Sequence, residues 1–158
     1  MAANTRSAQD VIAALNLSPH PEKGYFIETH RDGTNGTAIY YLLEKDAGRS
    51  HWHKVTNATE IWHHYAGAPL RLGLAWDDGA TPVRHVVLGQ DLWRGERPQV
   101  VVQVGEWQCA TTLGDWTLVG CTVSPSFSMD HFVMADEGWE PNTGGTGNDD
   151  DDARAGSK

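Results

Sequence analysis

Ser50-His51-Trp52-His53-Lys54 and, after the six-residue spacer Lys54 to Thr59, Glu60-Ile61-Trp62-His63-His64-Tyr65-Ala66-Gly67 form the densest polar and aromatic constellation in the chain. In an extended strand residues two apart share a face. His51 and His53 are therefore expected to point together, with Glu60 joining them from the next strand. Trp62 and His64 share Glu60's face, while Ile61, His63 and Tyr65 take the other. Two imidazoles and a carboxylate so placed suit a divalent transition metal. The alternative is a metal-free polar pocket in which one imidazole, His53, is an acid or base near neutral pH and Glu60 orients it.

On both sides of this stretch the sequence keeps the same rhythm: short alternating runs separated by turn clusters such as Arg31 to Gly36, Asp77 to Gly79 and Leu113 to Asp115. The runs predict strands at 25–30, 37–43, 50–54, 60–66, 70–76, 84–88, 99–104, 107–112, 116–123 and 131–134. One helix precedes them, announced by Ser7 as N-cap with Asp10 three residues on and by the apolar side Val11, Ile12 and Leu15, and it is expected across the outside of the sheets. Ten strands and one helix predict an all-β jelly roll. Residues 7–140 then make one domain, 1–6 a short N-terminal tail, and 141–158 a disordered acidic tail containing Asp149 to Asp152. Cys109 and Cys121 are expected on the two strands of one hairpin turning near Gly114. There they lie diagonal and about 7 Å or more apart, unable to bridge, and read as buried free thiols.

The chain has 158 residues and a formal net charge of -9. That balance argues against nucleic acid or an anionic membrane as partner, since both are bound through clustered Lys and Arg. No run approaches the length of a membrane-spanning helix and the N-terminus is polar, so a cytoplasmic protein is expected. No Gly-rich phosphate loop, nucleophile elbow or paired Cys motif is present.

His51-x-His53 with Glu60 and Gly67 resembles the first motif of the cupin superfamily, including the six residues between Glu and Gly; the spacer before Glu60 is longer than usual. The second motif is matched by Gln103-Val-Gly105-Glu-Trp-Gln108, in which Gln103 replaces the Pro and Gln108 the ligand His. The chain resembles more closely the fifth cupin family, a domain of unknown function related to sugar-epimerase cupins. That likeness runs through Pro19-His-Pro-Glu-Lys-Gly-Tyr25, Glu28-Thr-His-Arg31, Thr37 to Leu43, Glu60-Ile-Trp-His63, Gly95-Glu-Arg-Pro-Gln99, Gly105-Glu-Trp-Gln108 and Val123-Ser-Pro with Phe127. It implies a double-stranded β-helix and a homodimer, and a Gln after the Trp is in character for that branch.

Several functional expectations follow from residues and resemblance together. A small polar or sugar-like molecule is acted on by proton transfer, as in an isomerase, epimerase or lyase, with His53, Glu60 and His64 as catalytic candidates. Tyr25, Glu28, Tyr41, Trp62, Gln99, Trp107 and Gln108 are the ligand-binding candidates, with Tyr40 and Phe127 as further aromatic material. A metal-dependent, oxygenase-like enzyme is the second reading, with iron, nickel, manganese or zinc on His51, His53, Glu60 and Gln108. A non-catalytic binding module is the third. His20, His30, His85 and His131 read as surface or core residues.

Overall fold

The computed structural model describes residues 6–144; the N-terminal five residues and the run Asp149 to Asp152 lie outside the described residues. After helix α1 (Ala8–Leu15) come strands β1 (Ser18–Pro19), β2 (Tyr25–Asp32), β3 (Gly36–Glu44), β4 (His53–Val55), β5 (Thr59–Gly67), β6 (Leu70–Ala75), β7 (Arg84–Leu88), β8 (Gln99–Val102), β9 (Trp107–Thr112), β10 (Trp116–Ser124) and β11 (Phe132–Met134). They form two antiparallel sheets, ordered β1-β2-β3-β10-β5-β8 and β11-β4-β9-β6-β7, which make a double-stranded β-helix.

Alternation decides which side chains fill it. Leu43, Trp62, Leu70, Leu72, Leu74, Val100, Val102, Ala110 and Val119 come from the inward faces of both sheets and make one buried cluster. α1 begins with the expected capping box, Ser7 and Asp10 exchanging bonds with each other's backbone N–H. Its apolar side, Val11, Ile12 and Leu15, packs with Leu17, Leu42 and Trp116 on the outside of the larger sheet.

The hairpin expected around Gly114 is absent: β9 pairs with β4 and β6, and β10 pairs with β3 and β5. In this topology the connection from Leu113 to Asp115 carries the chain from one sheet to the other, so Cys109 and Cys121 belong to opposite layers. Both are buried free thiols. Trp139 packs against Trp107 at 4.5 Å between ring centroids, and Asn142 bonds Gly79, Asp77 and Thr81, so the chain is held in the fold beyond residue 140.

A bulge lies between Leu118 and Val119 where β5 meets β10, and just beyond it Gly67 takes φ +81°. A Cβ there would lie 2.5 Å from the Trp116 carbonyl and 2.7 Å from its ring. Both the conformation and the space demand glycine. Gly67→Ala is expected to cost about 3 kcal/mol, read as a lower denaturant midpoint with unchanged m-value.

Candidate active site

At the end of the β-helix where β3 and β5 start and β10 finishes, the two sheets enclose an empty volume of about 540 Å³, the solvent at its mouth included. Its polar floor is made by Glu22, His53 and Glu60, all buried, and its walls by Phe26, Ile39, Val55, Val123, Phe127 and Phe132.

His53 is only 3% exposed. Its Nδ1 lies 3.1 Å from the His51 carbonyl and its Nε2 2.9 Å from Glu22 Oε2. Both partners are acceptors, so both ring nitrogens carry protons and the ring is an imidazolium. Burial opposes that charge. The Glu22 carboxylate, then Glu60 and the His51 carbonyl, outweigh it and hold His53 at a pKa of about 9. Burial likewise pushes Glu22 upward, but the His53 charge wins and keeps that carboxyl below its ordinary value.

Glu60 stands differently. Burial lifts its pKa, and repulsion from Glu22 adds to the rise despite the His53 charge and the bond from Gln108. The Gln108 amide is fixed by an unambiguous chain. The Trp62 indole Nε1 can only donate, and it donates to Gln108 Oε1 at 2.8 Å; the amide nitrogen therefore faces Glu60 Oε2, also at 2.8 Å. The Cys121 thiol lines the same floor and is raised well above its ordinary pKa by burial and by the two carboxylates, so it stays protonated.

The cavity thus brings together His53, Glu60, Tyr41 and, at the rim, Glu28, whose carboxylate is held by Arg31 at 2.8 and 2.9 Å. Gln108 and Trp62 stand behind Glu60 as its support. The remaining expected residues are elsewhere. β4 begins only at His53, so the alternation that was to align His51 with it stops short. The His51 backbone N–H bonds to the Glu22 carbonyl at 3.1 Å, and His51 lines a separate surface groove with Lys23 and Glu137. His64 does face inward, deeper along β5, where Gln90 bonds its Nδ1 and its Nε2 donates to the Ala68 carbonyl. His63 is on the outer face, bonded to Thr122. Tyr25 packs under α1, Trp107 lies in the outer cluster with Trp52 and Trp139, and Gln99 is exposed on β8.

As a ligand set for a metal, His51, His53, Glu60 and Gln108 do not fit. His51 is outside the cavity, His53 Nε2 is engaged by Glu22, and the one Gln108 atom able to ligate is taken by Trp62. Among the described residues no three of His, Cys, Asp and Glu are arranged to hold a metal ion.

Glu22 and His20 are the two lining residues whose place in the polar site was most plainly not foreseen. Both sit in the turn between β1 and β2, within the Pro19 to Tyr25 block that the family likeness singled out. An acid and an imidazole in a short turn flanked by prolines and a glycine were the available signal. Spacing alone does not reveal that the turn folds under β4.

A family model described as Cupin superfamily (DUF985) matches residues 9–135. A protein from Shewanella oneidensis is 33% identical over 82% of this chain and 85% of its own, with TM-score 0.75. A hypothetical protein from Leishmania major is 29% identical over 80% and 86%, with TM-score 0.73. The capsular polysaccharide assembling protein CapF from Staphylococcus aureus shares the fold alone, at 13% identity over 72% of this chain and 31% of its own, with TM-score 0.58. No curated protein matches the sequence.

The His53 pairing has a measurable consequence. Its pKa is raised on folding, from about 6.5 when unfolded to about 9, so the stability it contributes is full below pH 6.5 and is lost as pH rises through 9. Histidine NMR titration is expected to show His53 still protonated at pH 7. In Glu22→Gln, with burial left unopposed by its main partner, the midpoint falls below that of a free histidine.

Proposed function

Since the chain belongs to the cupin superfamily family DUF985, we propose that it is an enzyme of the isomerase, epimerase or lyase kind, moving a proton on a small polar or sugar-like molecule held in this cavity. The observation that carries the reading is the placement on one floor of a buried imidazolium, His53, and a buried carboxyl, Glu60, whose pKa burial raises above its ordinary value. Glu22 held below its ordinary pKa and Glu60 pushed above it are two carboxyls driven apart by their surroundings, the pattern expected where acid and base roles are divided.

Glu60 takes the proton from a carbon next to a carbonyl. The bonding electrons move onto the carbonyl oxygen, and the His53 charge in the same cavity favours the resulting enolate. Return of the proton to the other face, or to a neighbouring carbon, gives an epimer or isomer; loss of a leaving group gives a lyase. Gln108 holds Glu60 in place and Trp62 holds Gln108.

The test is deuterium exchange from solvent into a panel of uncharged aldoses, ketoses and lactones. Exchange at the carbon beside the carbonyl is expected, falling by about 10²–10⁴-fold in Glu60→Gln and in His53→Gln. Tight binding without exchange would leave a binding module instead. One metal per chain, lost in a His53→Ala variant, would replace the reading by metal-assisted chemistry.

The expected homodimer belongs to the same reading. β8 is an edge strand, and beside it Val101 and Tyr65 are exposed on the outer face. A second copy covering them hides an edge that is otherwise open to aggregation. Gel filtration is expected to give a dimer that Val101→Lys converts to monomer.

A further inference from the structure

His20 has no role in the chemistry above, yet it lines the cavity beside Glu22. Its ring is gripped on three sides. The Glu22 backbone N–H donates to its Nδ1 at 3.1 Å, Phe26 packs edge-on with centroids 4.6 Å apart, and Tyr41 does so at 5.7 Å. A nitrogen that accepts from a backbone N–H carries no proton, so the other nitrogen, Nε2, does. That Nε2–H has no partner among the described residues.

The other lining donors are largely committed. The two N–H groups of His53 go to the His51 carbonyl and Glu22, and the Tyr41 hydroxyl donates to the Lys23 carbonyl at 2.8 Å. Thr37 Oγ1 accepts from the Phe127 N–H, leaving its hydroxyl proton as the one companion to His20 Nε2–H. The cations are committed too. Arg31 is forked onto Glu28 and reaches the Phe127 carbonyl, and His53 is paired with Glu22. Against these stand three lining carboxyl groups, Glu22, Glu28 and Glu60. A phosphate or carboxylate would enter with no free cation to meet it and several acids to repel it.

We propose that the cavity takes an uncharged carbonyl compound whose oxygen is held by the Nε2–H of His20, with its apolar part against Phe26, Phe127 and Phe132. This rests on the proton-transfer reading and names its substrate class. When Glu60 removes the proton, negative charge grows on the very oxygen that His20 holds. A ring whose Nε2–H is already fixed before substrate arrives needs no reorganisation to stabilise that charge.

Asparagine and glutamine separate the two nitrogens of His20. Asn places an acceptor near Nδ1 and keeps the Glu22 N–H satisfied while deleting the Nε2–H; Gln restores an N–H near Nε2. The probes are matched sets of small aldehydes, ketones and lactones, the alcohols obtained by reducing them, and the same skeletons bearing a carboxylate or phosphate. Binding is read by NMR on ¹⁵N-histidine protein. Carbonyl members are expected to move the His20 Nε2 resonance and to bind at least tenfold more tightly than their alcohol or anionic partners. His20→Asn is expected to keep the wild-type melting temperature and lose that preference, and His20→Gln to regain part of it. Preference for the anionic members, no carbonyl binding at millimolar concentration, or an unchanged preference in a folded His20→Asn would each overturn the proposal. Carbonyl preference that depends on His20, without any deuterium exchange, would uphold this inference and sink the proton-transfer reading; exchange unaffected by His20→Asn would do the reverse.

Discussion

The site depends on two charges that could not be buried singly. Taking either the Glu22 carboxylate or the His53 imidazolium out of water costs several kcal/mol, and each is nearly sequestered, with side chains 6% and 4% exposed. Only the 2.9 Å contact between them, with the His51 carbonyl on the far nitrogen, makes their burial tolerable. Such a pair is poor evidence of a stabilising role, because well-packed apolar residues in its place are often neutral or better. The pair lies under an open cavity and ties β4 to the turn before β2.

Glu60 is shaped by that pair without being neutralised by it. Its carboxyl accepts from a neutral amide, Gln108, and from the Cys121 thiol, donors that orient it while contributing less to its ionised form than a cation would. Gln108 stands where the common cupin motif has a ligand histidine. In this chain Gln108 links Trp62 in the core to Glu60 on the floor of the cavity. Trp62, wholly within the core and edge-on to Tyr41 at 5.8 Å, anchors that link. Core packing therefore fixes the direction in which Glu60 presents its charge.

How much of this could be read beforehand follows from the range of each signal. Period-two alternation is local, and it located the strands and put Glu60, Trp62 and His64 on one inward face. It could not tell that Glu60 alone of the three lies at the open end, because depth along the β-helix axis leaves no mark in alternation. Nor could it tell that His51 lies outside β4, where its N–H bonds instead to the Glu22 carbonyl in a turn 29 positions earlier. The absence of a β9–β10 hairpin is hidden for the same reason: a Gly-Asp turn between two strands reads as a hairpin unless the alternation of sheets is known. The family likeness pointed to the Pro19 to Tyr25 block, but a block match says that a segment matters and not what it touches.

The turn before β2 supplies two lining side chains, His20 and Glu22, without being loose. Lys23 and Gly24 take φ +87° and +77°, and a Cβ on Gly24 would lie 2.6 Å from the Leu42 carbonyl and 2.9 Å from the Tyr41 hydroxyl. The backbone is thus pressed against β3. His20 and Gly24 close the turn with a 2.8 Å bond, and Tyr41, wholly buried, reaches across to the Lys23 carbonyl. Residues on either side of this clamp have little freedom left. Glu22 is consequently delivered to His53, and the His20 ring to the cavity wall, by the same core residues that hold the larger sheet together. Side chains supported in this way hold one geometry although they do not lie on a strand, which is what the proposed proton transfer asks of its site.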